Sequence, residues 1–240
     1  MPMQRSRKGG ANHTTDKETL MPTLTDPAAP RTGFDPASVP SGQIYNLINS
    51  IVAPRPIAWV STRSPTGVAN VAPHSYCMIV SATPPIIAFS STGAKDTLRN
   101  VRATGEFVFN QVPEALAEEM NLSSANFPPD TSEFDWAGLT PVPSVIVGAP
   151  RVGEAPAAME CRLLDIREYG REPSNLIIGE VVHIAVDPAF IKDGILDCTH
   201  TRPVGRLARI GYSFTREFFA MPRPTYQSLL DAGVQPKRRG

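Results

Sequence analysis

Between Gly67 and Asn100 the chain reads GVANVAPHSYCMIVSATPPIIAFSSTGAKDTLRN, and this stretch limits the fold more than any other. Apolar runs of strand length follow one another with short breaks. SPTG (64–67) is a turn and VANVAP continues a hairpin from PIAWVST (56–62). Thr83-Pro84-Pro85 splits SYCMIV (75–80) from IIAFSS (86–91). Downstream, EFVFNQV (106–112) alternates, with Phe107 and Phe109 on one side and Val108 and Asn110 on the other. AMECRLLDIREYG (158–170) and NLIIGEVVHIAVD (175–187) read as long antiparallel strands turned at EPSN. Many short strands with few helices predict a mainly β architecture, a closed barrel with helical excursions.

Three helices are predicted around these strands. In QIYNLINSIV, Ile44, Leu47, Ile48 and Ile51 form a helical stripe expected to pack on the rest of the domain. Asp96 is the expected N-cap of TLRNVRAT, which stops at Gly105. PEALAEEMNLSS (113–124) opens with Pro113 in the first turn and acids early, near the positive helix end. Residues 126–150 form a Pro-rich insertion carrying Phe134 and Trp136. Residues 1–40, rich in Pro, Thr, Gly and Asp without apolar periodicity, are expected to be a flexible arm. The domain proper is placed at 41–224, and 225–240 is read as a C-terminal helix and tail.

Composition removes several classes of function. Lys plus Arg and Asp plus Glu are 23 each, so no net basic charge suits a general nucleic-acid binder. The 3 cysteines lie far apart with no CxxC spacing, which argues against a zinc or dithiol site. No apolar run reaches membrane-spanning length and the basic start lacks an apolar core segment, so neither a membrane span nor a signal peptide is expected, and the protein is expected to be cytoplasmic.

The chemistry-bearing residues suggest an anion site. Lys95, Asp96 and Thr97 open a helix whose first N–H groups are free to meet an anion. Ser61 and Thr62 end the first strand with hydroxyls, and Arg55 precedes it. His74 is a candidate proton donor, His183 reads as a structural histidine on a strand face, and His200 sits in the loop CTHTRPVGR.

The ordered set RPIAWVST, G-x-x-N-x-A-P-x-S, a Pro-Pro-led strand ending in Ser, KDT-x-x-N, GEFV-x-N and GEVV resembles the flavin reductase-like family over residues 42–224. The resemblance implies an FMN-binding split β-barrel, Greek-key-like, with a few flanking helices. It implies FMN as cofactor and NADH or NADPH as co-substrate. It places the phosphate near Arg55, Ser61, Thr62, Lys95, Asp96 and Thr97, and the ring along Asn70, Ala72, Pro73, His74 and Ser75. Arg206 and Arg209, in RPVGRLARIGYSFT, are further contact candidates, since this segment resembles the family's closing stretch. The same likeness implies a homodimer with the flavin at the subunit interface. One departure stands out: Asn175 occupies the place before the Gly-Glu-Val strand where some nicotinamide-using relatives carry histidine.

Four functions follow as alternatives. The first is an NAD(P)H:flavin oxidoreductase passing electrons to free flavin, oxygen or a partner oxygenase. The second is an FMN enzyme with its own small organic substrate, whose pocket Phe134 and Trp136 would shape. The third is a non-catalytic FMN electron carrier, and the fourth a heme-binding or empty barrel.

Overall fold

The computed structural model describes residues 26–236. The chain divides into two units, residues 1–40 and 41–240. Within the first, the described residues form turns held by Asp26, which accepts from the Ala28 N–H, and Asp35, which accepts from the Ala37 N–H and the Ser38 hydroxyl. Most of the segment expected to be a flexible arm lies outside the described residues.

The second unit is built on seven antiparallel strands: β1 (Ala58–Arg63), β2 (Ala69–His74), β3 (Cys77–Ala82), β4 (Pro85–Thr92), β5 (Glu106–Asn110), β6 (Ala157–Tyr169) and β7 (Ser174–Val186). Their order across the sheet is β2-β1-β5-β6-β7-β4-β3. The two edge strands, β2 and β3, are neighbours in sequence, separated by Ser75 and Tyr76 alone. Laid flat, seven strands would hold those edges about 29 Å apart. The joint spans about 10 Å at most. The sheet therefore must curl until its edges almost meet. The Ser90 N–H donates to the Tyr76 carbonyl (2.8 Å), and the His74 and Phe89 rings lie 4.9 Å apart across the gap. No ladder joins β2 to β3 among the described residues, so the barrel is split along that seam. The predicted barrel is borne out.

Alternation along β1 sorts its side chains into two cores. Ala58 and Val60 face the barrel interior with Phe89, Phe107, Cys161 and Ile177. Trp59 faces an outer core with Val71, Met120, Phe134 and Val204. Helix α2 (Asp96–Thr104) joins the interior core through Leu98 and Val101 and ends at Gly105, whose φ of 71° is the left-handed cap glycine tolerates. Its N-cap is Lys95 rather than Asp96, which is the first helical residue. Pro113 precedes a 3-10 turn (Glu114–Leu116) that leads into α3 (Ala117–Leu122), so the predicted helix begins as a tighter coil.

The insertion is tied down along much of its length. It contains α4 (Glu133–Ala137), and Pro141–Val142 pairs with Arg151–Val152 beyond it. The buried carboxylate of Glu160 accepts from the Val145, Ile146 and Val147 N–H groups and lies 2.9 Å from His183 Nδ1. Burial alone would raise the Glu160 carboxyl, but these donors and His183 hold it below the ordinary range. His183 is thus the structural histidine expected.

One expectation holds only in part. Helix α1 (Ser41–Ile51) fully buries only Asn49; Ile44 and Leu47 are half-buried, whereas Ile48 is 52% exposed and Ile51 73%, so half of the apolar stripe is left uncovered.

A tight backbone approach offers a test of the barrel interior. A Cβ on Gly179 would meet the Phe107 ring at 2.5 Å, and that ring is fully buried. Gly179→Ala is expected to destabilise the domain by about 1–3 kcal/mol, measured by urea unfolding, and Phe107→Leu in the same chain is expected to recover part of the loss.

Candidate functional site

A cleft of about 600 Å³ opens along the split seam. Its walls are the outer edge of β2, the end of β4, the start of α2, and the segment from α3 into α4. The volume falls in the range of cofactor sites. Asn70, Ala72, Pro73, His74, Ser75, Lys95, Asp96, Thr97 and Arg206 all line it, which brings together most of the residues singled out in the sequence.

The α2 end of the cleft is shaped for an anion. Lys95 caps the helix in extended conformation and makes no side-chain bond to the first-turn N–H groups. Asp96 is engaged by Arg99, which also reaches the Ala94 carbonyl. Thr97 is buried, and its hydroxyl donates to Asn70 Oδ1 (3.3 Å).

Asn70 is the hub of this wall. Its Oδ1 also accepts from Thr62 Oγ1 (3.1 Å), which in turn accepts from Asn100 Nδ2 (3.0 Å). Its Nδ2 donates to Glu133 Oε1 (2.8 Å), and the Val71 N–H donates to Glu133 Oε2 (3.2 Å). The Val71 bond shows that β2 directs backbone donors outward from the sheet edge. Pro73, which has no N–H, costs no ladder bond there. Glu133 is buried in the cleft wall, and that burial, with Asp96 nearby, raises its carboxyl above the usual range against the pull of its donors.

Two residues that line the cleft, His74 and Ser91, each carry a side-chain atom shielded from solvent and without a hydrogen-bond partner among the described residues, Nε2 and Oγ. Buried polar atoms of this kind ordinarily find partners. Burial lowers the His74 imidazole to about 4, with Lys95 adding to the shift and the Ser90 backbone opposing it. The ring is therefore neutral at neutral pH: it can donate or accept a hydrogen bond but does not serve as an imidazolium acid.

Three predicted residues lie elsewhere. Arg55 is buried, and its guanidinium donates to the Asn49, Val52 and Leu207 carbonyls, so it joins α1 to the closing segment. Ser61 is fully buried and donates to the Pro150 carbonyl. Thr62 is fully buried behind Asn70. Alternation along β1 sends the two hydroxyls to opposite faces, Ser61 to the Pro150 carbonyl and Thr62 to Asn70, and neither residue lines the cleft. Arg209 is exposed and His200 stacks on Phe190 (5.4 Å); neither lines the cleft. Asn175 is also buried, donating to the Ser91 carbonyl (3.3 Å) and accepting from Arg102 (3.1 Å). Phe134 belongs to the outer core, not to a pocket.

Sequence reasoning missed Ser91, Glu133, Phe127 and Tyr45 as lining residues. The hydroxyl-rich end of β4 was a usable signal for Ser91. Nothing local marks Glu133, because only the folded insertion carries it to Asn70. Among the described residues, no group of three or more His, Cys, Asp or Glu is arranged to hold a metal ion, and no helix is long and apolar enough to cross a membrane.

A split barrel with a ligand cleft along its seam defines a class, and comparison with known proteins specifies it. Residues 52–201 match the flavin reductase like domain. An uncharacterised protein of Halalkalibacterium halodurans is 40% identical over 201 residues, covering 80% of this chain and 96% of its own. The crystal structure of nitrilotriacetate monooxygenase component B from Bacillus cereus superimposes with a TM-score of 0.78 at 33% identity, covering 81% of this chain and all of that one (100%). The 2-nitrobenzoate 2-nitroreductase of Pseudomonas fluorescens gives 0.75 at 30% identity, covering 81% and 98%. The chain belongs to the flavin reductase-like family, a family of flavin-related oxidoreductases.

His74 makes a pH prediction. Its folded value, about 4, lies below the 6.5 of an unfolded chain. Between these values the unfolded state binds more protons, so stability is fully present above about pH 6.5 and falls as pH drops toward 4, by up to about 3 kcal/mol. Chemical unfolding across this range is expected to show a shallower pH slope in His74→Phe than in the wild type.

Proposed function

We propose that the cleft binds FMN and that the protein is an FMN-dependent oxidoreductase drawing electrons from NADH or NADPH. The observation that carries this reading is the pairing, in one cleft, of a helix start beside Lys95 with a polar wall, Asn70 to Ser75 along β2 and Ser90 to Thr92 on β4. The residues present fit the group. Lys95 and the first N–H groups of α2 suit its phosphate. The outer edge of β2 from Asn70 to Ser75, with Ser91 and neutral His74, suits the polar rim of its ring. Glu133 does not compete for the cation, because its oxygens are occupied by Asn70 and Val71.

Bound FMN would supply the hydride-accepting and electron-releasing chemistry. The chain's own part is positional. Lys95 and α2 fix one end of the cleft. Asn70, locked by Thr62, Thr97 and Glu133, keeps the wall from adjusting. Neutral His74 and Ser91 hold hydrogen bonds without adding charge beside the ring. Electrons would pass to a partner oxygenase, as the resemblance to a monooxygenase component supports. The second reading, an enzyme with its own organic substrate, is supported by the likeness to a nitroreductase and by the absence of histidine at 175, where a buried asparagine ties β7 to β4.

A homodimer completes the reading. Met78, Ile79 and Val80 on edge strand β3 are 61%, 78% and 47% exposed, and α1 presents Ile48 and Ile51. Every residue from Phe214 to Pro236 is exposed, including α5 (Tyr226–Asp231), Phe218, Phe219 and Met221. Apolar surface on this scale suits burial against a second copy. Tyr45, on α1, lines the cleft, so a partner covering α1 would border the flavin.

Lys95→Ala is expected to weaken FMN binding about tenfold, read by flavin fluorescence titration; an unchanged constant would remove the phosphate from α2. Anaerobic mixing of the FMN-loaded protein with NADH or NADPH is expected to bleach the oxidised flavin band. No bleaching with either nucleotide would transfer the assignment to the second reading or to an electron carrier. Ile79→Glu is expected to shift the protein from dimer to monomer in sedimentation equilibrium.

A further inference from the structure

The insertion brings one aromatic ring, Phe127, into the cleft and packs a second, Trp136, against it. Helix α4 is anchored on two sides of one turn. Phe134 and Ala137, three residues apart, face the outer core and are buried. Glu133 and Trp136, also three residues apart, share another face, as residues at that spacing do. Glu133 is fixed in the cleft wall by Asn70 and the Val71 N–H. Trp136 therefore stands one turn further along the same face. Its indole packs against Phe127, with ring centroids 5.5 Å apart and planes inclined at 32°. Phe127 is half-buried and lines the cleft, whereas Trp136 is 65% exposed.

A single exposed tryptophan needs no explanation. This one differs in two respects. Its helix is held to β2 by a buried carboxylate, so the backbone that carries the indole is fixed beside the cleft. It also backs a phenyl ring inside a cleft whose α2 side is lined by hydroxyls and charge: Ser91, Lys95, Asp96 and Thr97. The cleft is thus polar on its α2 side and carries an aromatic ring, Phe127, on the side of the insertion.

We infer that Phe127 and Trp136 form a stacking platform for the planar aromatic ring of the molecule that exchanges electrons with the cofactor in the cleft. This rests on the FMN reading above and adds the substrate class: a ring-bearing molecule recognised by its face. Such a ring has two sources, the adenine of a reduced nicotinamide dinucleotide, whose own nicotinamide ring is not aromatic, or an aromatic organic substrate such as a nitroarene. Trp136 sets affinity for that ring, while Lys95 and α2 set affinity for the cofactor.

The test uses the full-length FMN-loaded protein and isothermal titration with two probes, tetrahydro-NADH, which cannot transfer hydride, and 2-nitrobenzoate, the substrate named for the structural neighbour. FMN loading is measured first, in wild type and variants. Wild type that takes up no FMN defeats the cofactor reading before any probe is added. Trp136→Ala is expected to load FMN like the wild type and to bind one of the probes about three- to tenfold more weakly. Trp136→Phe is expected to recover most of that loss, which a general loosening of the insertion would not do. Weakening confined to tetrahydro-NADH identifies the ring as the dinucleotide's, and weakening confined to 2-nitrobenzoate identifies it as an organic substrate's. Equal binding by wild type and Trp136→Ala of every probe that binds overturns the platform, as does failure of both probes to bind FMN-loaded wild type.

Discussion

The joint at Ser75 and Tyr76 governs the molecule. It links the two edges of a seven-stranded sheet across a distance far shorter than the sheet is wide, so the sheet closes on itself. Closure stops short of a ladder, and the seam that remains is lined by the outer edge of β2 and the hydroxyl-rich end of β4. An open sheet edge is ordinarily a liability, because it presents unpaired backbone groups. Here one of those groups, the Val71 N–H, is used by Glu133, and the rest of the edge borders a cleft of cofactor size. The barrel makes the site by failing to close completely.

Polar order around the seam is concentrated on Asn70. Two hydroxyls fix its carbonyl and one carboxylate fixes its amide, so the orientation of the side chain is determined from both ends. Those three partners come from β1, α2 and the insertion, which lie far apart in sequence. A single asparagine thus ties the barrel, helix α2 and the insertion into one wall. Removing one partner would leave a buried polar group unpaired, a cost of about 1–3 kcal/mol.

Much of this was legible in the sequence. Alternation in EFVFNQV, the Pro-Pro break and the two long runs at 158–187 located the strands, because period two is a local signal. Lys95 and Thr97 were legible as a helix start, which is also a local signal, and the structure brings both to the cleft. Ser61 and Thr62 were misplaced for a physical reason: a strand end says that hydroxyls are present but not which side of the sheet they face. Arg55 was misread because its carbonyl partners, Asn49, Val52 and Leu207, come together only when α1 and the closing segment meet. The stripe of α1 was read correctly as apolar, but an amphipathic pattern does not say whether the covering surface belongs to the same chain. Glu133 had no local signature at all.

The most direct test of the central claim compares FMN with riboflavin in equilibrium titrations of the wild-type protein. The two ligands share the ring and differ by the phosphate. If the α2 end of the cleft reads that phosphate, FMN is expected to bind at least about tenfold more tightly, with the gap narrowing as inorganic phosphate is added. Equal affinities for FMN and riboflavin, or no binding of either, would contradict the assignment of the seam as a flavin mononucleotide site.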